Sequence, residues 1–317
     1  MAEALASLAA GVREGETRAV ARAITLVENE AGEAQPLLAA LFPHSGGSLV
    51  VGVTGPPGAG KSSLVDRLIA LWRGEGRSVG IVAVDPSSPF SGGAILGDRI
   101  RMQAHATDDG VFIRSMATRG HLGGLAAATD NVVTILSAAG KDVVLVETVG
   151  VGQDEVEIVG TADVSVVVLV PGLGDEVQAL KAGIMEIADV FVVNKSDREG
   201  ADRVVAEIES MLSLAPGGAG PAPAIVRTVA TRDEGTRGLA DAVLAFHARA
   251  KSTGALAEKR KAALARQLED ALKRRLLQRA FAALAPGERE ATLERLARRE
   301  LDPWSAADRL VEKAAHA

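Results

Sequence analysis

The sequence predicts an α/β protein built on a mostly parallel sheet with helices on both faces. Short runs rich in Val and Ile alternate with longer stretches of helical periodicity between residues 48 and 248. Near-continuous apolar strands separated by helices are typical of a parallel sheet that is covered on both faces. The predicted strands are Leu49–Thr54, Val79–Val84, Val143–Glu147, Val164–Val170, Val190–Val193 and Ala224–Val229.

Helical segments are predicted at both ends of this sheet domain. In residues 3–41, apolar side chains recur every three or four positions, which is the periodicity of packed helices. We therefore divide the chain into an N-terminal helical extension (1–45), a sheet domain (46–250) and a C-terminal helical arm (251–317).

The C-terminal arm differs from the rest of the chain in charge. It is net basic, whereas the remaining residues are net acidic, which favours a separate element. A long helix rich in Lys, Arg, Leu and Ala is predicted over 255–284, and a second helix follows Pro286–Gly287. A third begins at Asp302–Pro303, where the aspartate is the expected N-cap and the proline the first-turn residue.

Composition excludes several classes of protein. The chain has 317 residues and no cysteine, so a disulfide framework, a thiolate metal site and a cysteine nucleophile are excluded. A formal charge of −6 argues against a nucleic-acid partner. The longest apolar runs, such as Val164–Val170, are far shorter than the ~20 residues of a membrane span. No signal peptide is evident at the N-terminus, so we expect a cytoplasmic protein without a membrane partner.

A glycine-rich loop between a strand and a helix is the strongest functional signal. Residues 55–62, Gly-Pro-Pro-Gly-Ala-Gly-Lys-Ser, fit the phosphate-loop pattern, and a helix is predicted directly afterwards over Ser63–Trp72. Glycines let backbone N–H groups curl around a polyphosphate at a helix N-terminus, where the helix dipole favours anions. We expect Lys61 to reach the β- and γ-phosphates and the Ser62 hydroxyl to contact Mg²⁺.

A second motif indicates which base is bound. Asn-Lys-Ser-Asp at 194–197 directly follows a predicted strand. The Asp197 carboxylate can accept from the N1–H and N2–H₂ groups of guanine, whereas an adenine would leave that desolvated carboxylate without donors. We expect Asn194 to donate near N7 and the Lys195 stem to lie along the ring. Thr231 follows the last predicted strand and marks the start of a third base-side loop.

Acidic residues at strand ends are the candidate Mg²⁺ ligands. Asp85 and Glu147 end predicted strands, at the edge where ligands bind in open α/β sheets, and Asp98 follows in a glycine-rich stretch. The Gly150 backbone N–H is a candidate sensor of the γ-phosphate, and Gln153 is a candidate for positioning the attacking water. Alternatively, Asp85 caps a turn, Asp98 pairs with Arg99 or Arg101, and Gln153 is an ordinary surface residue.

With these motifs in place, the chain resembles the MeaB/ArgK-type P-loop GTPases, the family of the methylmalonic aciduria type A protein. The resemblance runs from about residue 5 to 315. The stretch Asp-Pro-Ser-Ser-Pro-Phe-Ser-Gly-Gly-Ala is highly specific to the family. The segments that carry the resemblance are 18–28, 53–63, 84–102, 147–153, 171–175 and 194–197.

The resemblance implies a homodimeric GTPase that chaperones an adenosylcobalamin-dependent acyl-CoA mutase. Such proteins gate cofactor loading and protect the mutase, which stimulates GTP hydrolysis in return. It implies switch segments over 86–102, 147–160 and 171–183, and a dimerisation role for the C-terminal arm. The implied catalytic residues are Lys61, Glu147, Gly150 and Gln153; the implied ligands of Mg²⁺ are Ser62, Asp85, Asp98 and Glu147; and the third switch contains Asp175, Gln178 and Lys181. The residues expected to bind GTP or GDP are Gly55, Gly58, Ala59, Gly60, Lys61, Ser62, Ser63, Asn194, Lys195, Asp197 and Thr231.

Three other functions remain open at this point. A P-loop small-molecule kinase shares the phosphate loop but gives no reason for the motif at 194–197. A nickel-delivery GTPase of related fold needs Cys or His clusters, whereas the five histidines here are scattered. A scaffold that binds GTP without hydrolysing it is the third.

Overall fold

In the described part of the chain, seven parallel strands form one sheet, which confirms the predicted parallel-sheet architecture and adds one strand to the six that the sequence predicts. The computed structural model describes residues 2–29, 31–85, 105, 107–117, 124–148, 160, 162–172, 187–214 and 222–315. Within them the strand order is β3-β2-β4-β1-β5-β6-β7, which places β1 at the centre. The strands are β1 (Leu49–Thr54), β2 (Val79–Asp85), β3 (Val111–Ala117), β4 (Val143–Thr148), β5 (Val164–Leu169), β6 (Val190–Asn194) and β7 (Ala224–Thr228).

Helices precede, connect and follow these strands in the described part of the chain. Three N-terminal helices lie within the predicted helical extension, and four helices follow the last strand, β7. The α-helices are α1 (Ala2–Arg13), α2 (Thr17–Glu28), α3 (Ala34–Leu41), α4 (Lys61–Gly74), α5 (Gly124–Ala138), α6 (Ala201–Leu214), α7 (Thr236–Ser252), α8 (Ala255–Ala282), α9 (Glu288–Ala297) and α10 (Pro303–Ala315).

The alternation of side chains along the strands divides the core between the two faces of the sheet. On one face, Val51 and Val53 of β1 and Leu145 of β4 belong to a cluster with residues of α4 and α7. On the other face, Val144 and Val146 pack with α1, α2, α3 and α5. Helix α6 covers the same second face over β5 and β6. Both faces are therefore buried, which explains the near-continuous apolar strands.

One strand was missed by the sequence analysis. Among the strands that the structure describes, β3 pairs only with β2 and so forms an edge of the sheet. Its apolar residues are interrupted by Arg114, which forms an ion pair with Glu28 of α2 and so ties the N-terminal helices to this edge. Because an edge strand is covered less completely, it lacks the continuous Val/Ile run of the central strands. The other predicted strand ends differ from the structure by one residue at most.

Two basic residues of α8 hold strand starts at the edge opposite the phosphate loop. Arg260 Nε and Nη2 donate to the two carboxylate oxygens of Asp163, each at 2.7 Å, and Nη2 also donates to Ser48 O at 3.0 Å. Lys259 Nζ donates to Asp189 Oδ2 at 2.7 Å. These acceptors precede β5, β1 and β6, so the start of α8 is fixed to three neighbouring strands.

The chain divides into two compact units, residues 1–263 and 264–317, with α8 running through the boundary. In the second unit, Asp302 Oδ1 accepts from the backbone N–H of Trp304 at 2.9 Å and of Ser305 at 3.0 Å, which confirms it as the N-cap of α10. The predicted domain borders at 45 and 250 stay predictions. None of the helices that the structure describes has the length and apolar composition needed to span a bilayer.

Candidate functional site

The predicted phosphate loop connects the end of β1 to the start of α4. Gly55 has a φ of 148°, and a Cβ on it would lie 2.2 Å from the backbone oxygen of Val168, so only glycine fits. Gly58 and Gly60 have φ of 74° and 88°, in the left-handed region that favours glycine. The loop thus turns tightly into the N-terminus of a 14-residue helix, a geometry that suits a bound polyphosphate.

Lys61 lies buried under this loop. Its Nζ donates to Gly55 O at 2.7 Å and to Pro56 O at 3.0 Å, and the residue is 5% exposed. These contacts hold the ammonium group inside the curve of the loop, where phosphate oxygens can replace carbonyl oxygens as its acceptors. The predicted role of Lys61 fits this position.

Two hard oxygen donors lie together beside the loop. Ser62 Oγ donates to Glu147 Oε1 at 2.6 Å, and both residues are buried. Asp85 ends β2 next to them, because Ala83 pairs in register with Glu147. Its side chain lies outside the described part of the structure. A serine hydroxyl and a carboxylate are the chemistry that Mg²⁺ prefers, so this donor set fits a magnesium ion.

The base motif is anchored to the phosphate loop through Asn194. The Asn194 Nδ2 group donates to Ala59 O at 2.8 Å, while Oδ1 accepts from Thr228 Oγ1 and Ala230 N, both at 3.1 Å. A Cβ on Gly60 would lie 2.4 Å from Nδ2, so that glycine is needed for close approach. Asn194 therefore joins three loops, a bracing role that sequence analysis did not predict; its expected contact near N7 stays a prediction.

The other residues of the base motif face the loop and the solvent. Lys195 adopts a left-handed backbone with φ of 56°, and its Nζ donates to Gly58 O at 2.7 Å. Asp197 Oδ2 lies 3.2 Å from Arg232 Nη2, with the carboxylate side chain 34% exposed. Thr231 lies exposed in the short 3₁₀-helix Ala230–Arg232 that follows β7. The structure thus brings the phosphate loop, the base motif and the 3₁₀-helix Ala230–Arg232 together at one edge of the sheet.

The remaining predicted site residues lie outside the described part of the structure. They are Asp98, Gly150, Gln153, Asp175, Gln178 and Lys181. Their expected roles stay predictions. Among the described residues, no group of three or more His, Asp or Glu side chains gathers into a metal-binding cluster.

Sequence analysis missed two arginines near the base motif. Arg67 of α4 donates from Nε to Ala230 O at 3.2 Å, and Arg232 pairs with Asp197. Neither lies in a recognisable motif, because both act through residues distant in sequence. The position of Arg232, directly after the proposed base-side Thr231, was the only available signal.

Comparison with known proteins identifies one family of GTPases. The sequence profile of a family described as "Methylmalonyl Co-A mutase-associated GTPase MeaB" matches residues 20–285. The chain is 48% identical to a protein of Pyrococcus abyssi over 305 residues, which cover 95% of this chain and 94% of that protein. It is 35% identical over 268 residues to the mouse methylmalonic aciduria type A homolog, covering 79% of this chain and 65% of the mouse protein.

A solved structure shares the fold. The crystal structure of an LAO/AO transport system kinase superposes with a TM-score of 0.70 at 29% identity, covering 97% of this chain and 96% of that one. The similarity therefore extends over nearly the whole length of both chains, including the parallel sheet and the phosphate loop.

Proposed function

Because the chain belongs to the family of methylmalonyl-CoA mutase-associated GTPases, MeaB, we propose that it is a Mg²⁺-dependent GTPase chaperone of an adenosylcobalamin-dependent acyl-CoA mutase. It gates cofactor loading and protects or reactivates the mutase. The client is a methylmalonyl-CoA mutase or a related isobutyryl- or hydroxyisobutyryl-CoA mutase.

The observation that carries the catalytic part of this proposal is the buried pair of Ser62 and Glu147 beneath the phosphate loop. Their oxygens lie 2.6 Å apart at the C-terminal edge of the central strands. Burying an ionised carboxylate is costly unless it is paired, and a hydroxyl–carboxylate pair next to a phosphate loop suits a nucleotide-bound cation. When bound, Mg²⁺ neutralises charge on the phosphates; Ser62 and Glu147 would hold it directly or through water.

Hydrolysis then depends mainly on positioning and charge stabilisation. The loop's backbone N–H groups surround the phosphates, and Lys61 stabilises the negative charge that develops as water attacks in line. The buried position of Lys61 excludes water from its ammonium group and strengthens this interaction. We expect slow turnover by the isolated protein, well below the ~1–100 s⁻¹ of kinases, because a partner supplies the missing stabilisation.

The base site selects guanine through Asp197. This carboxylate pairs with the N1–H and N2–H₂ groups of the ring, and the stem of Lys195 covers one ring face. Asn194 keeps the base loops attached to the phosphate loop. Binding of the base and binding of the phosphates therefore stabilise one another.

Helix α8 supports the proposal of a homodimer. Leu264, Leu268, Leu272 and Leu276 recur every four residues and are between 46% and 70% exposed. Such a row of apolar side chains along one helix favours burial against a second copy of the chain. Light scattering should show a dimer, and Leu268→Glu with Leu272→Glu should give monomers that still bind GDP.

The experiment that tests the chaperone function follows cofactor loading. Apo-mutase is mixed with adenosylcobalamin in the presence of the GTPase with GTP, the GTPase with GDP, or no GTPase. The absorbance of the cofactor reports its binding to the mutase. We expect loading to depend on which nucleotide is present, and Lys61→Ala to abolish that dependence. Loading that is the same with GTP, with GDP and without the protein, for all three candidate mutases, would contradict the proposed role.

A further inference from the structure

The loop after β7 is a rigid platform beside the base motif. Val229 and Glu234 form an antiparallel bridge, with Val229 N donating to Glu234 O at 2.9 Å. On the inner side, Ala230 N donates to Asn194 Oδ1 at 3.1 Å, and Ala230 O accepts from Arg67 Nε at 3.2 Å. Both ends and the inner peptide of this loop are therefore fixed, so a side chain projecting from it starts from a defined position.

Arg232 projects from this platform toward the base-reading carboxylate. Its Nη2 lies 3.2 Å from Asp197 Oδ2, and its Nη1 lies 4.0 Å from Glu234 Oε1. Asp197 belongs to the loop after β6, so the ion pair connects two different base-side loops. The guanidinium lies between two carboxylates, one on its own loop and one in the proposed guanine site.

The pair leaves room for a base on the same carboxylate. An ionised carboxylate has about four acceptor positions on its two oxygens, and a guanine edge uses two of them. The shortest approach between Arg232 and Asp197 is 3.2 Å, from Nη2 to Oδ2. The arginine can thus restrain the rotation of the Asp197 side chain while both oxygens still accept from the base.

We propose that Arg232 is a positioning residue that orients Asp197 and thereby sets the preference for guanine nucleotides. This inference rests on the proposed guanine site. An oriented carboxylate meets both donors of guanine at once, whereas a freely rotating one is ordered only on binding. Inosine lacks the 2-amino group and offers one donor instead of two, so its binding depends less on that orientation.

The test is the affinity of Arg232→Gln for GDP and for inosine diphosphate, measured by calorimetry on the full chain. We expect GDP to bind roughly two- to tenfold more weakly, the size of ordering one side chain, and the GDP-to-IDP preference to fall. Arg232→Lys should restore part of that preference. Arg227→Gln is the matched control, because it removes an exposed arginine paired with Asp202 at 2.6 Å with the same change of charge.

Several results would overturn the inference. If wild type prefers GDP over ADP but Arg232→Gln keeps the wild-type GDP-to-IDP ratio, Arg232 does not position the carboxylate, and the proposed function stands. If Arg227→Gln lowers the ratio equally, the effect is one of net charge. If wild type binds ADP as tightly as GDP, the guanine site itself is wrong, and this inference fails with it.

Discussion

Replacing Asn194 with alanine should destabilise the nucleotide-binding unit by about 3 kcal/mol, at about 1 kcal/mol for each of three hydrogen bonds. Asn194 is 2% exposed, so water cannot readily replace the lost partners. Its removal leaves the carbonyl of Ala59, the hydroxyl of Thr228 and the N–H of Ala230 without their present partner. The phosphate loop and the base loops then lose their direct connection.

Urea unfolding followed by tryptophan fluorescence measures this loss. The chain has two tryptophans, of which Trp72 is fully buried in α4 and Trp304 is 83% exposed in the second unit. In a Trp304→Phe background, the signal therefore reports on the unit that contains the site. Thr228→Val is the graded control, because it removes one of the three bonds and should cost about 1 kcal/mol.

Two results would refute this reasoning. A loss below about 1 kcal/mol for Asn194→Ala would mean that the three bonds do not brace the loops. An equal loss for Thr228→Val and Asn194→Ala would mean that the contacts to the phosphate loop and to the inner peptide contribute nothing.

Three further predictions concern backbone space, a buried ion pair and pH. Gly60→Ala should weaken GDP binding at least tenfold, because the added Cβ would lie 2.4 Å from Nδ2 of Asn194. Gly254→Ala is the control: this glycine also has a positive φ, 79°, but an added Cβ would have no neighbour within 4 Å, so GDP binding should be unchanged in the same titration. Arg260→Leu should cost about 3–5 kcal/mol in urea unfolding, since a carboxylate that is 3% exposed loses its cation, and a cost below about 1 kcal/mol would contradict this. The hydrogen bond from Arg73 lowers the pKa of Asp108 below its usual 3.8, so this stabilisation is complete above about pH 4 and lost as the pH falls through the folded-state pKa. In thermal melts from pH 6 to pH 2, Tm should decrease less for Asp108→Asn than for the wild type. Equal decreases in the two proteins would contradict a stabilising role for the Arg73–Asp108 pair.

The central part of the fold follows from local sequence signals. Strand β1, the phosphate loop and α4 are encoded by an apolar run, a glycine pattern and helical periodicity that adjoin one another in the chain. The same holds for Asn194, which ends its strand. Parallel strands place their C-terminal ends at one edge of the sheet, so the phosphate loop after β1 and the base motif at the end of β6 were expected to lie close together. The structure places them at that edge.

Contacts between distant residues could not be predicted in this way. Arg260 and Asp163 are 97 positions apart, and no local pattern marks either as the other's partner. The bracing role of Asn194 likewise depends on loops that meet only after the sheet has formed. Strand β3 was missed for a different reason, since an edge strand interrupted by the ion-paired Arg114 lacks the apolar run that marked the central strands.

The measurement that tests the account most directly is GTP turnover by the purified protein, alone and with each candidate adenosylcobalamin-dependent mutase. The account predicts slow release of phosphate by the protein alone, a severalfold increase with one mutase, and no turnover in either condition for Lys61→Ala. Turnover of the isolated protein at the ~1–100 s⁻¹ of a kinase, or no stimulation by any of these mutases, would contradict it.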